Sequence, residues 1–150
     1  MKRIRARLSA QEGFSLVELI VVIAILAILA AVAVPVYSGY VKKANDAAVT
    51  TELSAILTAA QAANATNANA LKTITVDPIT NSDDANVKFE FNGSALETFC
   101  DDFASVYSGS TSKNDSITIS GFGETLSNSA SYTNGARWTS DKGWEGIPAS

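Results

Sequence analysis

The stretch QEGFSLVELIVVIAILAILAAVAVP, residues 11–35, decides the fold because it holds the long apolar run of the chain. No charged residue occurs between Leu19 and Val41, but Glu18 lies just inside the start of the run. As a helix, residues 14–35 would be about 33 Å long at about 1.5 Å per residue, which matches a hydrocarbon core of about 30 Å. The stretch therefore predicts a membrane-spanning helix that carries one carboxylate near its N-terminal end.

Positive charge is concentrated before this stretch, and the rest of the chain is acidic. The first thirteen residues have a charge of +3, which comes from Lys2, Arg3, Arg5, Arg7 and Glu12. Since the net charge is −4, residues 14–150 hold −7. An excess of Lys and Arg before a membrane helix favours a cytoplasmic N-terminus. The acidic remainder argues against nucleic acid as a partner of the folded part.

The composition excludes several kinds of enzyme. The chain has no histidine, which rules out Ser/His/Asp and Cys/His catalysis in their usual forms and His-ligated metal sites. Cys100 is the single cysteine, so no intramolecular disulfide can form. We interpret the acidic pairs at 83–84 and 101–102 as solvated surface rather than as paired catalytic acids. We therefore expect that the protein is not an enzyme.

The helical pattern continues beyond Pro35, although a proline normally kinks or opens a helix. Val41, Ala44 and Ala48 form one stripe, and an apolar face continues at helical spacing with Leu53, Ile56, Leu57 and Ala60. We expect one helix from about residue 14 to about residue 64. Its first half is apolar all round, and its second half is amphipathic, so the second half is expected to pack against a domain.

The remaining sequence predicts a small, mostly antiparallel sheet. Three segments alternate with period two and favour strands, namely 71–76, 87–92 and 116–122. A short helix is predicted over 94–109, with Phe99 and Phe103 in its buried stripe. An edge strand is predicted at 136–139, followed by a Gly/Pro-rich tail. The predicted fold class is α+β, with a long N-terminal helix packed on a small antiparallel β-sheet.

The start of the apolar stretch also shows a family resemblance. A basic leader ends in Gly13, "FSLVEL" follows, and about sixteen apolar residues then lead to Pro35. Over about residues 8–45 this resembles the class III signal of type IV pilins and their pseudopilin relatives. The resemblance implies cleavage between Gly13 and Phe14, N-methylation of the Phe14 amine, and polymerisation of the subunits into a helical filament through their N-terminal helices.

The resemblance further implies an organisation and a set of partners. Residues 1–13 would be a cleaved basic leader, 14–35 the transmembrane and polymerisation helix, 36–69 its amphipathic continuation and 70–150 a β-rich globular domain. The implied partners are other copies of the chain, a prepilin peptidase and methylase, an assembly ATPase, a platform protein and, before assembly, membrane lipid. The subunit would wait in the cytoplasmic membrane with its N-terminus in the cytoplasm, and would end in an extracellular pilus.

Glu18 and Phe14 are the predicted assembly residues. A carboxylate costs about 2.5 to 3.5 kcal/mol at the centre of a membrane helix, and less near the interface. In a filament it could face the cationic Phe14 amine of its own or a neighbouring chain, and each charge would relieve the other. Pro35 is the predicted helix kink, and the sequence leaves open whether the helix melts there on assembly.

Several alternatives stay open. The small residues 31–33 would fit a secretory cleavage site, and the helix could be a plain membrane anchor. Besides a pilus subunit for adhesion, motility or DNA uptake, the alternatives are a major pseudopilin of a type II secretion system, a non-polymerising secreted or membrane-anchored binding protein, and a membrane-tethered hydrolase. No cofactor is expected, although Asp141 and Glu145 are candidate ligands for Ca²⁺ in the tail.

Overall fold

The computed structural model describes residues 13–65, 69–79, 83–92, 96–113 and 116–149. These residues contain three helices and six strands. The helices are α1 (Leu16–Asn64), α2 (Leu96–Val106) and α3 (Gly123–Ser127). The strands are β1 (Leu71–Pro78), β2 (Ala85–Phe91), β3 (Ser110–Lys113), β4 (Ser116–Ile119), β5 (Ala136–Thr139) and β6 (Gly143–Gly146).

The six strands form one antiparallel sheet in the order β3-β4-β2-β1-β5-β6. Its centre is the long β1–β2 hairpin, in which Ile74 lies opposite Phe89 and Val76 lies opposite Val87. The short hairpin β3–β4 joins the sheet at β2, and the short hairpin β5–β6 joins it at β1. The sheet, together with α1, confirms the predicted α+β fold with a long N-terminal helix.

The chain divides into two units, Met1–Ser38 and Gly39–Ser150, and α1 contributes residues to both. In the first unit, every described residue is exposed. Its apolar part is long enough and apolar enough to cross a membrane, and none of the most apolar window is buried. The prediction of a helix that is apolar all round in its first half is therefore confirmed.

In the second unit, α1 buries one face against the sheet. Its buried residues recur every three or four positions, as the 3.6-residue period of a helix requires: Val49, Leu53, Ile56, Ala59, Ala60 and Ala63. They join one core with the alternate residues of the central strands, Ile74, Val76, Ala85, Val87 and Phe89. The predicted amphipathic second half is confirmed.

Helix α2 closes the core with an aromatic cluster. Phe99 and Phe103 are fully buried, and both lie against Phe89 of β2, with ring centroids 4.8 and 5.0 Å away. Phe91 contacts Phe99 at 4.6 Å, and Tyr107 stacks on Phe103 at 5.4 Å. The predicted buried stripe of this helix is confirmed, since its spacing of four residues brings both phenylalanines to one face.

The predicted edge strand at 136–139 is present as β5, but it is not at the edge. It pairs with β1 on one side and with β6 on the other, so β6, in the Gly/Pro-rich tail, is the edge strand. Gly143 makes the intervening turn possible, because its φ of 78° lies in the left-handed region. Trp138 and Trp144 then face each other across the β5–β6 pair.

Two further predictions differ from the structure. The strand predicted over 116–122 ends at Ile119, because Gly121 turns the chain with a φ of 79° and α3 begins two residues later. The stripe of Val41, Ala44 and Ala48 is not buried. The covered face of α1 begins only at residues 45–46, where the loop after α3 reaches the helix.

Candidate processing and assembly site

The predicted cleavage point lies on exposed backbone immediately before α1. Gly13, Phe14 and Ser15 precede the first helical residue, Leu16. A Cβ built on Gly13 would meet no atom within 4 Å, and Phe14 is 92% exposed. The peptide bond between Gly13 and Phe14 is therefore outside the hydrogen-bonded turns of the helix and open to a second molecule.

Ser15 and Glu18 form a reciprocal cap at the start of α1. The Ser15 backbone N–H donates to Glu18 Oε2 at 2.8 Å, and the Glu18 backbone N–H donates to Ser15 Oγ at 3.2 Å. The Leu19 N–H donates to the Ser15 carbonyl at 3.3 Å, which makes Ser15 the N-cap residue. This arrangement is a capping box, in which two otherwise unpaired helix N–H groups are satisfied.

The capping box gives Glu18 a role in the single subunit that sequence reasoning missed. The signal was present, because Ser-x-x-Glu before an apolar run is the sequence pattern of a capping box. The box holds the carboxylate at the positive end of the helix dipole, which lowers the cost of an ionised group there. A carboxylate has about four lone-pair sites, so Glu18 can still accept a hydrogen bond from a second donor.

Glu18 is one of the residues that line an apolar hollow on the helix surface. The hollow is lined by Phe14, Val17, Glu18, Leu19, Val21 and Val22. Five of these six side chains are apolar, and they are exposed. Covering these apolar side chains with lipid or another apolar helix is favourable because it removes them from water, and Glu18 offers one polar contact among them.

Replacing Ser15 by Ala is expected to loosen the first turn of α1. Losing an N-cap hydroxyl costs about 1 kcal/mol, which corresponds to about fivefold faster amide exchange at the capped turn. Hydrogen exchange of the full chain in detergent micelles measures this at Glu18 and Leu19, whose N–H groups donate to Ser15. Ser15→Thr should retain the protection. Ser38→Ala removes a hydroxyl that donates to the Pro35 carbonyl and should not affect these amides. Equal exchange in Ser15→Ala and the wild type would contradict the cap.

Pro35 lies inside α1, and helical structure is unbroken across it. Proline has no backbone N–H, so the carbonyl four residues earlier lacks its usual helical partner. One turn later, Ser38 Oγ donates to the Pro35 carbonyl at 2.9 Å. The proposed kink, and its melting on assembly, stay predictions.

The two candidate Ca²⁺ ligands lie in the β5–β6 hairpin. Asp141 is in the turn, where it accepts a hydrogen bond from Ser140 Oγ at 3.3 Å, and Glu145 is in β6 opposite Arg137. Within the described ranges, no three His, Cys, Asp or Glu side chains are grouped so that they could hold a metal ion. A Ca²⁺ site in the tail stays a prediction.

Comparison with known proteins identifies the segment that contains this site. Residues 8–34 match the family model described as the prokaryotic N-terminal methylation motif, and the match includes Gly13, Phe14 and Glu18. This motif is the class III leader signature of type IV pilins and pseudopilins. No curated protein and no solved structure matches the chain.

Residues 8–34 therefore carry the leader signature of type IV pilin-like and pseudopilin proteins, and a helix long and apolar enough to cross a membrane begins within this segment. The methylation motif is a feature of structural proteins. A leader of this class implies processing by a prepilin peptidase and assembly into filaments.

Proposed function

We propose that this protein is a structural subunit of a type IV pilus or a related filament that serves adhesion, motility or DNA uptake. In this proposal the chain is cleaved after Gly13, N-methylated at Phe14 and polymerised through α1. The observation that carries the proposal is the methylation motif at residues 8–34, which leads directly into an apolar helix with no buried residue in its most apolar window.

The cleavage step suits the exposed backbone at Gly13. An aspartyl peptidase at the membrane surface needs an extended substrate strand, and Gly13 adds no side chain that would obstruct a narrow active site. Cleavage also removes the +3 charge of the leader, which favours a cytoplasmic N-terminus. The product is an apolar helix that begins with a single amine, on Phe14.

The exposed apolar surface of the first half of α1 would be removed from water by lipid before assembly and by other copies of the chain afterwards. Lipid surrounds this apolar surface while the subunit remains in the cytoplasmic membrane. In a filament, neighbouring α1 helices rich in Ala, Ile and Val replace lipid with close side-chain packing. An assembly ATPase and a polytopic platform protein would supply the work of extraction from the membrane.

Glu18 gives this assembly a polar contact. In the subunit its carboxylate accepts a hydrogen bond from the Ser15 N–H. In the filament the methylated Phe14 amine, of the same or a neighbouring chain, would add a charged donor in a low-dielectric environment. Such a pair penalises slipped arrangements, because a shift in register leaves both charges unpaired.

Mass spectrometry of the mature N-terminus tests the processing step. We expect the mature chain to begin at N-methylated Phe14. A start near Val34, after the small residues 31–33, would instead indicate a secretory signal, and an intact N-terminus at Met1 would indicate a plain membrane anchor. Either result would contradict the proposal.

A major pseudopilin of a type II secretion system is the second candidate, because the same methylation motif is the signature of both classes. Electron microscopy of filaments sheared from cells that express the protein distinguishes the two. Long surface filaments that contain this chain support a pilus, whereas short filaments confined to the envelope support a pseudopilus. Correct processing with no filament at all would indicate a membrane-anchored binding protein.

A further inference from the structure

A single carboxylate on α1 holds the loop between α3 and β5. Asp46 Oδ1 accepts hydrogen bonds from Ser129 Oγ at 2.5 Å, from the Ala130 N–H at 2.8 Å and from the Ser131 N–H at 3.2 Å. Asp46 Oδ2 accepts one from Ser131 Oγ at 3.0 Å. Both carboxylate oxygens are therefore used, and the four donors come from three consecutive residues more than 80 positions away in the chain.

The same loop supports the edge strand β6 on its other side. A Cβ built on Gly146 would lie 2.1 Å from the Ser131 carbonyl oxygen, so only glycine allows this close approach of β6 to the loop. The Ile147 N–H donates to the Gly135 carbonyl at 3.0 Å, which ties the chain after β6 to the end of the loop. The loop thus lies between α1 and β6.

Strand β6 depends on this support. It pairs with β5 on one side only, over four residues. As the outermost strand it has no ladder partner on its other side, so it opens more readily than a central strand. Because Cys100 is the only cysteine, no intramolecular disulfide can retain this segment. The segment is held instead by the β5–β6 pairing, side-chain packing, the backbone bond from Ile147 to Gly135, and the bonds that Asn45 and Asp46 of α1 make to the loop.

We propose that residues 128–149 form a C-terminal strap that the Asp46 carboxylate latches closed, and that loss of its negative charge opens the strap while the rest of the Gly39–Ser150 unit stays folded. An ionised acceptor forms stronger hydrogen bonds than a neutral one. Four donors that lose it together are left without an equivalent partner. The inference does not depend on filament assembly, so it can fail or succeed separately from the proposed function.

Acid is one way to open the latch. The Ser129 hydroxyl, with further donors from Ser131 and Ala130, holds the pKa of Asp46 below its ordinary value, although desolvation acts in the opposite direction. A lowered pKa means that the latch is fully closed above the ordinary aspartate pKa of about 3.9 and is lost as the pH falls through the folded-state value.

Few other groups near the latch can titrate. The charged residues one turn earlier on α1 are Lys42 and Lys43, α3 contributes Glu124, and Tyr132 lies within the loop. Of these four residues, only Glu124 carries a carboxylate, as Asp46 does. Glu124 is exposed and makes a suitable control.

The two tryptophans of the chain report on the strap, because Trp138 is in β5 and Trp144 is in β6. Both pack against the core, so strap opening should shift their fluorescence emission to longer wavelength. In the full chain in detergent micelles at pH 7, we expect this shift in Asp46→Asn and not in Glu124→Gln. Far-UV circular dichroism should stay close to that of the wild type in both variants.

Hydrogen exchange and an acid titration complete the test. In Asp46→Asn, amides of residues 143–146 should exchange at least about tenfold faster, while those of Ala85–Phe91 keep their protection. The wild type and Glu124→Gln should show the emission shift below about pH 4. Asp46→Asn should show no additional shift on acidification, because its emission is already shifted at pH 7. If Asp46→Asn does not accumulate, Ser129→Ala removes one donor and should produce a smaller effect in the same amides. Unchanged emission wavelength and amide exchange in the variants would contradict the proposed latch. A shift in emission accompanied by loss of the far-UV circular dichroism signal would also contradict it, because the whole unit would then have unfolded.

Discussion

Glu18→Ala is expected to be processed normally and to form no filaments. The substitution leaves Gly13 and Phe14 intact, so the peptidase still has its substrate. It also leaves the methylated Phe14 amine without its proposed partner in an apolar filament interior. Removing one partner of a buried charge pair costs about 3 to 5 kcal/mol, so subunit addition should weaken by at least about a hundredfold. Surface filament yield and the N-terminal mass of the membrane pool measure the two effects separately.

Glu18→Gln separates the charge of this residue from its capping role. Glutamine can accept the Ser15 N–H in a capping box, but it has no negative charge for an amine. If the charge pair drives assembly, Glu18→Gln should fail as Glu18→Ala does. If the cap alone matters, Glu18→Gln should form filaments. Glu52→Gln, which removes a carboxylate elsewhere on α1, should assemble normally. Wild-type filaments from Glu18→Ala would refute the pairing.

Gly13→Leu is expected to leave the precursor uncleaved, and Gly13→Ala should have the same effect. The fold itself has room for the new side chain, since a Cβ at this position meets no atom within 4 Å and the backbone is not in the left-handed region. A loss of cleavage would therefore arise at the peptidase and not from misfolding. Immunoblotting of the membrane fraction measures it, because the precursor is longer by the thirteen-residue leader.

Gly39→Ala is the matched control for the cleavage test at Gly13. Gly39 also has no atom within 4 Å of a built Cβ, but it lies inside α1 rather than at the cleavage point. The Gly39→Ala variant should be cleaved normally, and its helix should be stabilised by up to about 1 kcal/mol because alanine replaces an exposed glycine. Cleavage of Gly13→Leu at the wild-type rate would show that Gly13 is not read by the peptidase.

Much of the fold could be predicted from local patterns. The sequences around Ile74 and Val87 alternate with period two, and both are strands in the structure. Phe99 and Phe103 are four residues apart, and they lie in a helix. Strand β3 was not predicted, because its residues Ser110–Lys113 are polar and show no alternation. Strand β6 was not predicted, because two glycines in four residues argue against a strand unless another backbone approaches closely.

The candidate site shows the same division. Gly13, Phe14 and Glu18 are recognisable from the sequence because the motif that contains them is a short linear segment. The capping box of Ser15 and Glu18 could also be predicted from the sequence, because the two residues are three positions apart. The bonds of Asp46 were not, because its donors lie 83 to 85 residues away and meet it only after the sheet has formed.

The sequence by itself determined the leader motif, the apolar first half of α1, the amphipathic second half and the α+β class. Each of these rests on residue type and spacing within one segment, where transfer free energy and helical or strand period act locally. Only the tertiary structure decided the strand order, the position of β6 at the sheet edge and the use of Asp46 to hold the strap. These depend on which distant segments share the core, and residue spacing along one segment does not encode that choice.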